Sequence, residues 1–156
     1  MSGNCVMLCY RIPREPSTPR ITVWRKLKRL GVAQLADGLV ALPADARTRE
    51  QLEWIADEIG EAGGEASIWL ARPASAAQER ELAARMAAAR AAEYAAVTAE
   101  ATNATGADAR RTGERLRAEL RRIGRRDHFP PPERDAAHAA VEALLQSTVD
   151  SAEGRT

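Results

Sequence analysis

The residues of this sequence most suited to binding chemistry are cations that recur at helical spacing. Four of them fall on one side of a helix predicted at residues 19–30, opposite Val23 and Leu27: Arg25, Lys26, Lys28 and Arg29. No acidic residue lies within residues 20–31 to neutralise them. Because Arg and Lys bind phosphate groups, this face predicts contact with a nucleic-acid backbone. The alternative is an ordinary helix face that carries water.

A second set of cations occurs later in the chain. Residues 107–126 contain eight Arg against three acidic residues, a net charge of +5. Four of these arginines are further candidates for phosphate contact: Arg117, Arg121, Arg122 and Arg125. A solvated face stabilised by helical pairs with Glu114 and Glu119 is the competing interpretation. The chain has one Phe and two Tyr, so stacking on single-stranded bases is poorly supported and duplex contact is favoured.

No arrangement of residues typical of an enzyme occurs in the sequence. It lacks the GxSxG, Walker A, glycine-rich dinucleotide and HExxH patterns. Asp135, His138 and Glu142 share one face of a predicted helix, but charged helix faces usually carry water rather than a metal. Cys5 and Cys9 stand in an apolar run and are predicted to be small buried hydrophobic residues. We therefore expect no enzymatic activity, no metal site and no cofactor.

Charge is distributed unevenly along this chain of 156 residues, whose net charge is only +1. Residues 1–30 contain seven cations and one acid, a net +6, whereas residues 45–65 contain seven acids and two cations, a net −5. This pattern allows a surface with one positive side, and mutual neutralisation within the fold is the alternative. No apolar run approaches the ~18 residues of a membrane span, and no signal peptide is evident. A soluble, cytoplasmic protein is expected.

The first half of the chain predicts four strands. Residues 5–12 form a nearly unbroken apolar run, which suits a central strand covered on both faces. Residues 32–43 predict a hairpin around Asp37-Gly38, with both turn residues at positive φ. Residues 66–71 alternate into a last strand.

Two helices are predicted between these strands. In the first, Thr18 is the expected N-cap, Pro19 the first helical residue and Gly31 the left-handed stop. The second begins at a capping box over residues 48–51 and ends near Ala62. The order strand, helix, strand, strand, helix, strand is that of the ferredoxin-like arrangement. This is an α+β fold in which a four-stranded antiparallel sheet carries two helices on one face.

The second half of the chain is predicted to be helical, beginning with a capping box at residues 75–78. Three helices are expected, at residues 76–101, 108–124 and 132–149. They contain few large apolar residues, so we expect them to pack on the sheet or on a second copy rather than form their own core. The predicted organisation has three parts: a ferredoxin-like domain at 1–73, an all-helical extension at 74–149 and a tail at 150–156.

Four segments together resemble the N-terminal domain of the ChrB chromate-resistance regulators: YRIPREPS at 10–17, VWRKLKRLG at 23–31, RTREQLEWIADEIGEAGGEA at 47–66 and LRAELRRIGRRDHFP at 116–130. The resemblance covers residues 5–145. It implies control of a chromate-efflux operon, with DNA as the partner and chromate as the effector.

The predicted sheet domain also resembles the central domain of PaaX-type repressors and the dimeric CRISPR-associated ferredoxin-like nucleases. In those nucleases the first strand ends in an aspartate that serves metal-dependent cleavage. The matching position of this chain, after Tyr10, is Arg11. The resemblance therefore implies pairing of two copies through the sheet domain, but no nuclease activity.

The sequence thus predicts a cytoplasmic, homodimeric, non-enzymatic transcriptional regulator of the ChrB type that binds DNA through basic helix faces. Two alternatives remain open. One is a protein-interaction or dimerisation module that docks its basic helix on an acidic partner. The other is a chromate-responsive oxyanion sensor without DNA binding, in which Arg side chains bind chromate directly.

Overall fold

The computed structural model describes residues 3–155, so residues 1, 2 and 156 of the predicted first domain and tail lie outside the described residues. Its strands are β1 Cys5–Arg11, β2 Ala33–Ala36, β3 Leu39–Pro43 and β4 Glu65–Ala71. Its α-helices are α1 Thr18–Leu30, α2 Ala46–Glu61, α3 Ala76–Asn103, α4 Ala109–Arg125 and α5 Glu133–Glu153, with a short 3-10 helix at Gly106–Asp108. These elements confirm the α+β class. Within residues 3–155, no helix has both the length and the apolar character needed to cross a membrane.

The chain divides into two compact units, residues 1–86 and 87–156. The first unit contains the whole sheet with α1 and α2, and the second contains α4 and α5. The predicted organisation into parts 1–73, 74–149 and 150–156 stays a prediction.

The four strands form one antiparallel sheet in the order β2-β3-β1-β4. β1 lies between β3 and β4, which confirms its predicted central position. Val6 is in register with Leu42 on one side and with Leu70 on the other. β2 and β4 are therefore the edge strands.

One face of the sheet carries the core of the first unit. Val6 and Leu8 of β1 are fully buried, and α1 and α2 contribute further buried side chains: Val23, Leu27, Leu52 and Ile59. The opposite face departs from the prediction, because Cys9 is exposed and Cys5 is only half-buried. The apolar run of β1 is thus not covered equally on both faces.

The first turns of α3 lie beside part of that second face. The Gly3 N–H donates to Glu79 Oε1 at 3.0 Å, and an Arg85 N–H donates to the Gln34 carbonyl at 2.9 Å. Burial raises the pKa of the Cys5 thiol, and the carboxylate of Glu79 adds to that increase.

Helix ends differ from the predictions by a few residues. Ser17, not Thr18, is the N-cap of α1, and its side chain makes no capping hydrogen bond. Gly31 ends α1 at φ 76°, as predicted, and its N–H returns to a carbonyl of the last turn. The capping box of α2 joins Asp45 and Thr48, with the Thr48 N–H donating to Asp45 Oδ1 at 2.8 Å. The predicted box over residues 48–51 is therefore wrong by one turn, because Asp45 is the N-cap and Thr48 occupies the third helical position instead of the cap.

The β2–β3 hairpin is confirmed, but its turn geometry is not the predicted one. Gly38 has φ 73°, whereas no residue other than glycine has positive φ in the described part of the chain. Asp37 therefore does not share the left-handed conformation. A register shift between Gln34 and Ala36 absorbs the difference, as a β-bulge does.

The second unit has a hydrophobic core of its own, contrary to the expectation that its helices need another surface. The largest buried residue is Tyr94, whose neighbours in this core are Val97, Ala101, Ala109, Leu116, Leu120, Ile123, Ala137, Val141 and Leu144. Small alanines let the helices approach closely, so few large side chains suffice to fill the space between them. The Tyr94 hydroxyl donates to Asp127 Oδ2 at 2.9 Å, which satisfies its polar end.

Candidate nucleic-acid interface

The four predicted cations of α1 differ in their surroundings. Arg25, Lys28 and Arg29 are exposed, whereas Lys26 is half-buried on the side that faces α2. Lys26 Nζ donates to both carboxylate oxygens of Glu58 at 2.8 Å. The charge of α1 is therefore partly neutralised from α2, although no acid is adjacent to it in the sequence.

Arg25 and Arg29 make no ion pair with any residue between 3 and 155. Lys28 Nζ lies 5.8 Å from the centroid of the Trp24 ring, within the range of a cation–π interaction. The exposed cations Arg25, Lys28 and Arg29 are hereafter called the α1 surface. Two of its three members have their hydrogen-bonding groups available to an anionic partner.

The structure adds a basic feature that sequence reasoning did not select. Arg11, Arg14 and Arg20 line an open groove of about 1590 Å³ at the end of β1, together with Trp24. We call this feature the β1 groove. All three arginines are exposed, and none forms an ion pair within the described residues. These arginines are among the seven cations counted in residues 1–30. They line one groove because the chain folds back through residues 12–17.

Two glycines allow the walls of the β1 groove to form. A Cβ atom on Gly38 would lie 2.4 Å from the Tyr10 carbonyl oxygen, and one on Gly64 would lie 2.4 Å from the Arg11 carbonyl oxygen. Only glycine permits such close approach of one backbone to another. The turn after β2 and the turn after α2 can therefore close on the end of β1.

Polar side chains other than arginine also line the β1 groove: Tyr10, Asp37, Glu65 and Ser67. Burial raises the pKa of Tyr10, Arg20 opposes that increase, and Asp37 adds to it. The Tyr10 hydroxyl thus remains protonated at neutral pH. It is available as a hydrogen-bond donor inside the groove.

Ion pairs divide the second set of predicted cations, on α4. Arg117 pairs with Glu142 of α5 at 2.9 Å, and Arg122 pairs with Glu119 at 2.7 Å. Arg121 and Arg125 are exposed and have no ion-pair partner among the described residues. They are one helical turn apart, so they share a face.

Neighbouring arginines of α4 also have partners. Arg126 pairs with Glu93 of α3 at 2.6 Å, Arg115 pairs with Glu100 of α3, and Arg110 pairs with Glu114 at 3.4 Å. The predicted helical partners Glu114 and Glu119 are therefore both used. The Arg-rich helix forms ion pairs with α3 and α5, and a smaller part of its charge faces outward.

Asp135, His138 and Glu142 were predicted to share one face of α5. Glu142 accepts a hydrogen bond from Arg117 at 2.9 Å, so its carboxylate already has a partner. No group of three or more His, Cys, Asp or Glu side chains positioned to hold a metal occurs between residues 3 and 155. The outward arginines are therefore the main chemical feature of the second unit.

Comparisons with known proteins connect these features to a family. A family model described as "Protein ChrB, N-terminal" matches residues 20–106, which include all of the α1 surface. No curated protein matches the chain. Among solved structures, the chain is similar to the Uncharacterized protein Rv0674 from Mycobacterium tuberculosis, with a TM-score of 0.57 and 15% identity. That match covers 92% of this chain but only 61% of the other, and at this identity it shows a similar fold alone.

Proposed function

The chain belongs to the family of ChrB N-terminal domains, and we propose that it is a transcriptional regulator in chromate resistance that binds duplex DNA. Membership connects it to chromate resistance. The observation that carries the DNA-binding proposal is the α1 surface, where Arg25 and Arg29 are exposed and form no ion pair with a described residue. Unpaired guanidinium groups on a rigid helix suit contact with backbone phosphates.

Electrostatics favours a duplex over other anionic partners. A duplex presents phosphates at regular spacing, and each contact releases condensed counterions, which gives affinity that falls steeply with salt. The α1 surface has cations one helical turn apart, Arg25 and Arg29, so adjacent phosphates are within reach of one helix. Arg121 and Arg125 repeat this spacing on α4 and form the second proposed contact.

We assign the first unit a ferredoxin-like topology. The element order and the strand order β2-β3-β1-β4 support this assignment. We also propose that the chain is not an enzyme and acts in the cytoplasm. Arg11 supports the proposal that the chain is not an enzyme. It lies at the end of β1, where the CRISPR-associated nucleases that this sheet resembles have an aspartate.

A homodimer is part of the proposal, and β4 is its proposed interface. This edge strand exposes two large apolar side chains at adjacent positions, Trp69 at 60% and Leu70 at 57%. Exposed edge strands with apolar side chains are typical sites of pairing with another chain. A two-fold dimer would place two α1 surfaces on one duplex and match the symmetry of a palindromic operator.

A second candidate function is a protein-interaction module with an acidic partner. The observation that favours it is the Lys26–Glu58 pair at 2.8 Å, because a carboxylate-rich helix already satisfies one cation of α1. The third candidate, a sensor that binds chromate directly through arginine, has support from the unpaired guanidinium groups. Both candidates predict that the chain does not bind a duplex with an affinity that falls steeply with salt, whereas the DNA-binding proposal predicts that it does.

Duplex affinity measured against salt concentration tests the proposal. The double variant Arg25→Ala/Arg29→Ala should lose up to about 1.8 units of log–log slope if each residue contacts one phosphate. The control Arg47→Ala/Arg49→Ala removes the same charge from exposed positions of α2 and should retain most of the slope. Equal slopes in the parent protein and the α1 variant would overturn the DNA-binding proposal.

A further inference from the structure

We propose that the β1 groove is an oxyanion-binding site, in which Arg11, Arg14 and Arg20 bind a tetrahedral phosphoryl group. The proposed function supplies one source of that group, a backbone phosphate of DNA, and to that extent the inference rests on it. The other source is a free anion such as inorganic phosphate. The three arginines of the groove are not among the cations first predicted for DNA contact. The inference therefore assigns a binding role to residues that the proposed function does not use for DNA contact.

Three arginines from separate parts of the first unit line this groove. Arg11 is the last residue of β1, Arg14 belongs to the loop after it, and Arg20 lies in the first turn of α1. Within residues 3–155 none of the three has an ion-pair partner. By contrast, Lys26 and several arginines of α4 pair with glutamates. A concave site that retains unpaired guanidinium groups is complementary to an anion with several oxygens.

The geometry of the groove favours a defined site over a diffuse positive field. Gly38 and Gly64 bring their turns against the carbonyls of Tyr10 and Arg11, so part of the wall is closely packed backbone. Ile12, between two of the arginines, is 8% exposed and fixes the start of the loop in the core. Sites held by rigid elements lose less entropy when they bind a ligand.

Neutral donors and nearby acids restrict what the groove accepts. The Tyr10 hydroxyl and the Ser67 hydroxyl line it and are suited to donate to oxygen. Asp37 and Glu65 also line it and repel an anion that the arginines do not hold directly. Binding should therefore depend strongly on the individual guanidinium groups, and a single phosphoryl group should suit the site better than a polyanionic cluster.

Trp24 gives the test an internal reporter, because its ring lines the groove. Trp54 and Trp69 are 65% and 60% exposed, and the background Trp54→Phe/Trp69→Phe leaves Trp24 as the single emitter. In this background, Trp24 fluorescence is titrated with inorganic phosphate at constant ionic strength. Because Trp69 Nε1 donates to the Ser67 hydroxyl at 2.8 Å, the titration is repeated with Trp54→Phe alone. A saturable change that sodium chloride does not reproduce is the expected result.

Two variants then test the role of the arginines. Arg14→Ala/Arg20→Ala should weaken phosphate binding about tenfold or more, whereas the control Arg47→Ala/Arg49→Ala should leave it unchanged. Arg14→Lys/Arg20→Lys retains the charge but loses the bidentate fork, so it should weaken binding by an intermediate factor. The proposal is overturned if the lysine variant binds phosphate fully and the Arg47→Ala/Arg49→Ala control loses binding. That result would mean that the positive field of the whole protein, not the groove, attracts the anion.

A duplex oligonucleotide in place of phosphate identifies the source of the phosphoryl group. If the alanine variant weakens both ligands, the groove holds a backbone phosphate. If it weakens phosphate alone, the groove binds a free anion and the proposed DNA contact remains with the α1 surface. If it weakens neither, the groove proposal is wrong while DNA binding by Arg25 and Arg29 stands on its own test.

Discussion

Lys26 Nζ lies 2.8 Å from Glu58 Oε2, and this pair joins the basic helix α1 to the acidic helix α2. The two residues are 32 positions apart in the chain. The pair neutralises one of four cations that the sequence places on a common face. DNA contact by α1 is consequently proposed for Arg25, Lys28 and Arg29.

Removal of the Glu58 carboxylate should release Lys26 for DNA. We expect Glu58→Gln to steepen the log–log salt dependence of duplex binding by up to about 0.9, the value of one phosphate contact. The control Glu61→Gln removes an equal charge from an exposed position of α2. Identical slopes for the two variants would show that Lys26 does not reach the duplex.

The outward arginines of α4 should matter for binding more than the paired ones. Arg121→Ala/Arg125→Ala should reduce duplex affinity and its salt slope, because these side chains have no ion-pair partner among the described residues. Arg117→Ala/Arg122→Ala breaks two exposed ion pairs and should lower the free energy of unfolding by only about 1 kcal/mol or less per pair. Titrations at several salt concentrations and urea unfolding measure the two effects. A larger binding loss in the second variant would contradict this assignment.

Tyr94 should give the second unit a distinctive dependence on alkaline pH. Burial and the hydrogen bond to Asp127 raise the pKa of Tyr94 to about 12, against an ordinary value of 10. A raised pKa means that the full stabilisation is present below pH 10 and is lost as the pH rises through the folded-state value. Absorbance at the tyrosinate band should show a group that titrates near pH 12, and Tyr94→Phe should remove it. Early titration of both tyrosines would contradict the buried hydrogen bond.

The glycines that wall the β1 groove should be intolerant of a side chain. Gly64→Ala places a Cβ 2.4 Å from the Arg11 carbonyl oxygen, so it should lower the free energy of unfolding by about 1–3 kcal/mol. Gly60 lies inside α2, and apart from the adjacent residues and the backbone of its own helix nothing lies within 4 Å of where a Cβ would be, so Gly60→Ala should stabilise by about 0.5–1 kcal/mol. Urea unfolding of both variants gives the comparison. Stabilisation by both would show that the turn after α2 does not approach β1 closely.

The proposed dimer should depend on β4 rather than on exposed aromatic residues in general. Trp69→Glu/Leu70→Glu should convert the dimer to a monomer, because it places like charges along the edge strand. Trp54→Glu changes a residue of α2 that is equally exposed and should leave the dimer intact. Sedimentation velocity distinguishes the species. A monomeric parent protein would reject the dimer without affecting the DNA proposal.

Local signals in the sequence were sufficient to predict most of the strands and helices of the first unit. Gly31 ends α1 because a left-handed residue returns the chain toward its own last turn, and this requires only neighbouring residues. The Asp37-Gly38 turn likewise predicted the hairpin. Its exact conformation was not predictable, since the bulge at Gln34 and Ala36 depends on pairing with β3.

The second unit shows that amino-acid composition is insufficient to predict whether helices form a core of their own. Its helices were predicted, but their core around Tyr94 was not, because a count of large apolar residues ignores the volume that alanines leave free. The capping box of α2 shows a similar limit. Asp45 and Thr48 both appear in the sequence, and only the start of the helix decides which residue caps it.

The amino-acid sequence alone determined the α+β class, the central position of β1 and the number of positive charges near α1, because these follow from local periodicity and composition. Tertiary structure decided which charges are free. Lys26 is paired while Arg25 is not, and Arg14 and Arg20 line one groove, because ion pairing depends on distances of a few ångströms between residues far apart in the chain. Such distances exist only after the helices have packed on the sheet.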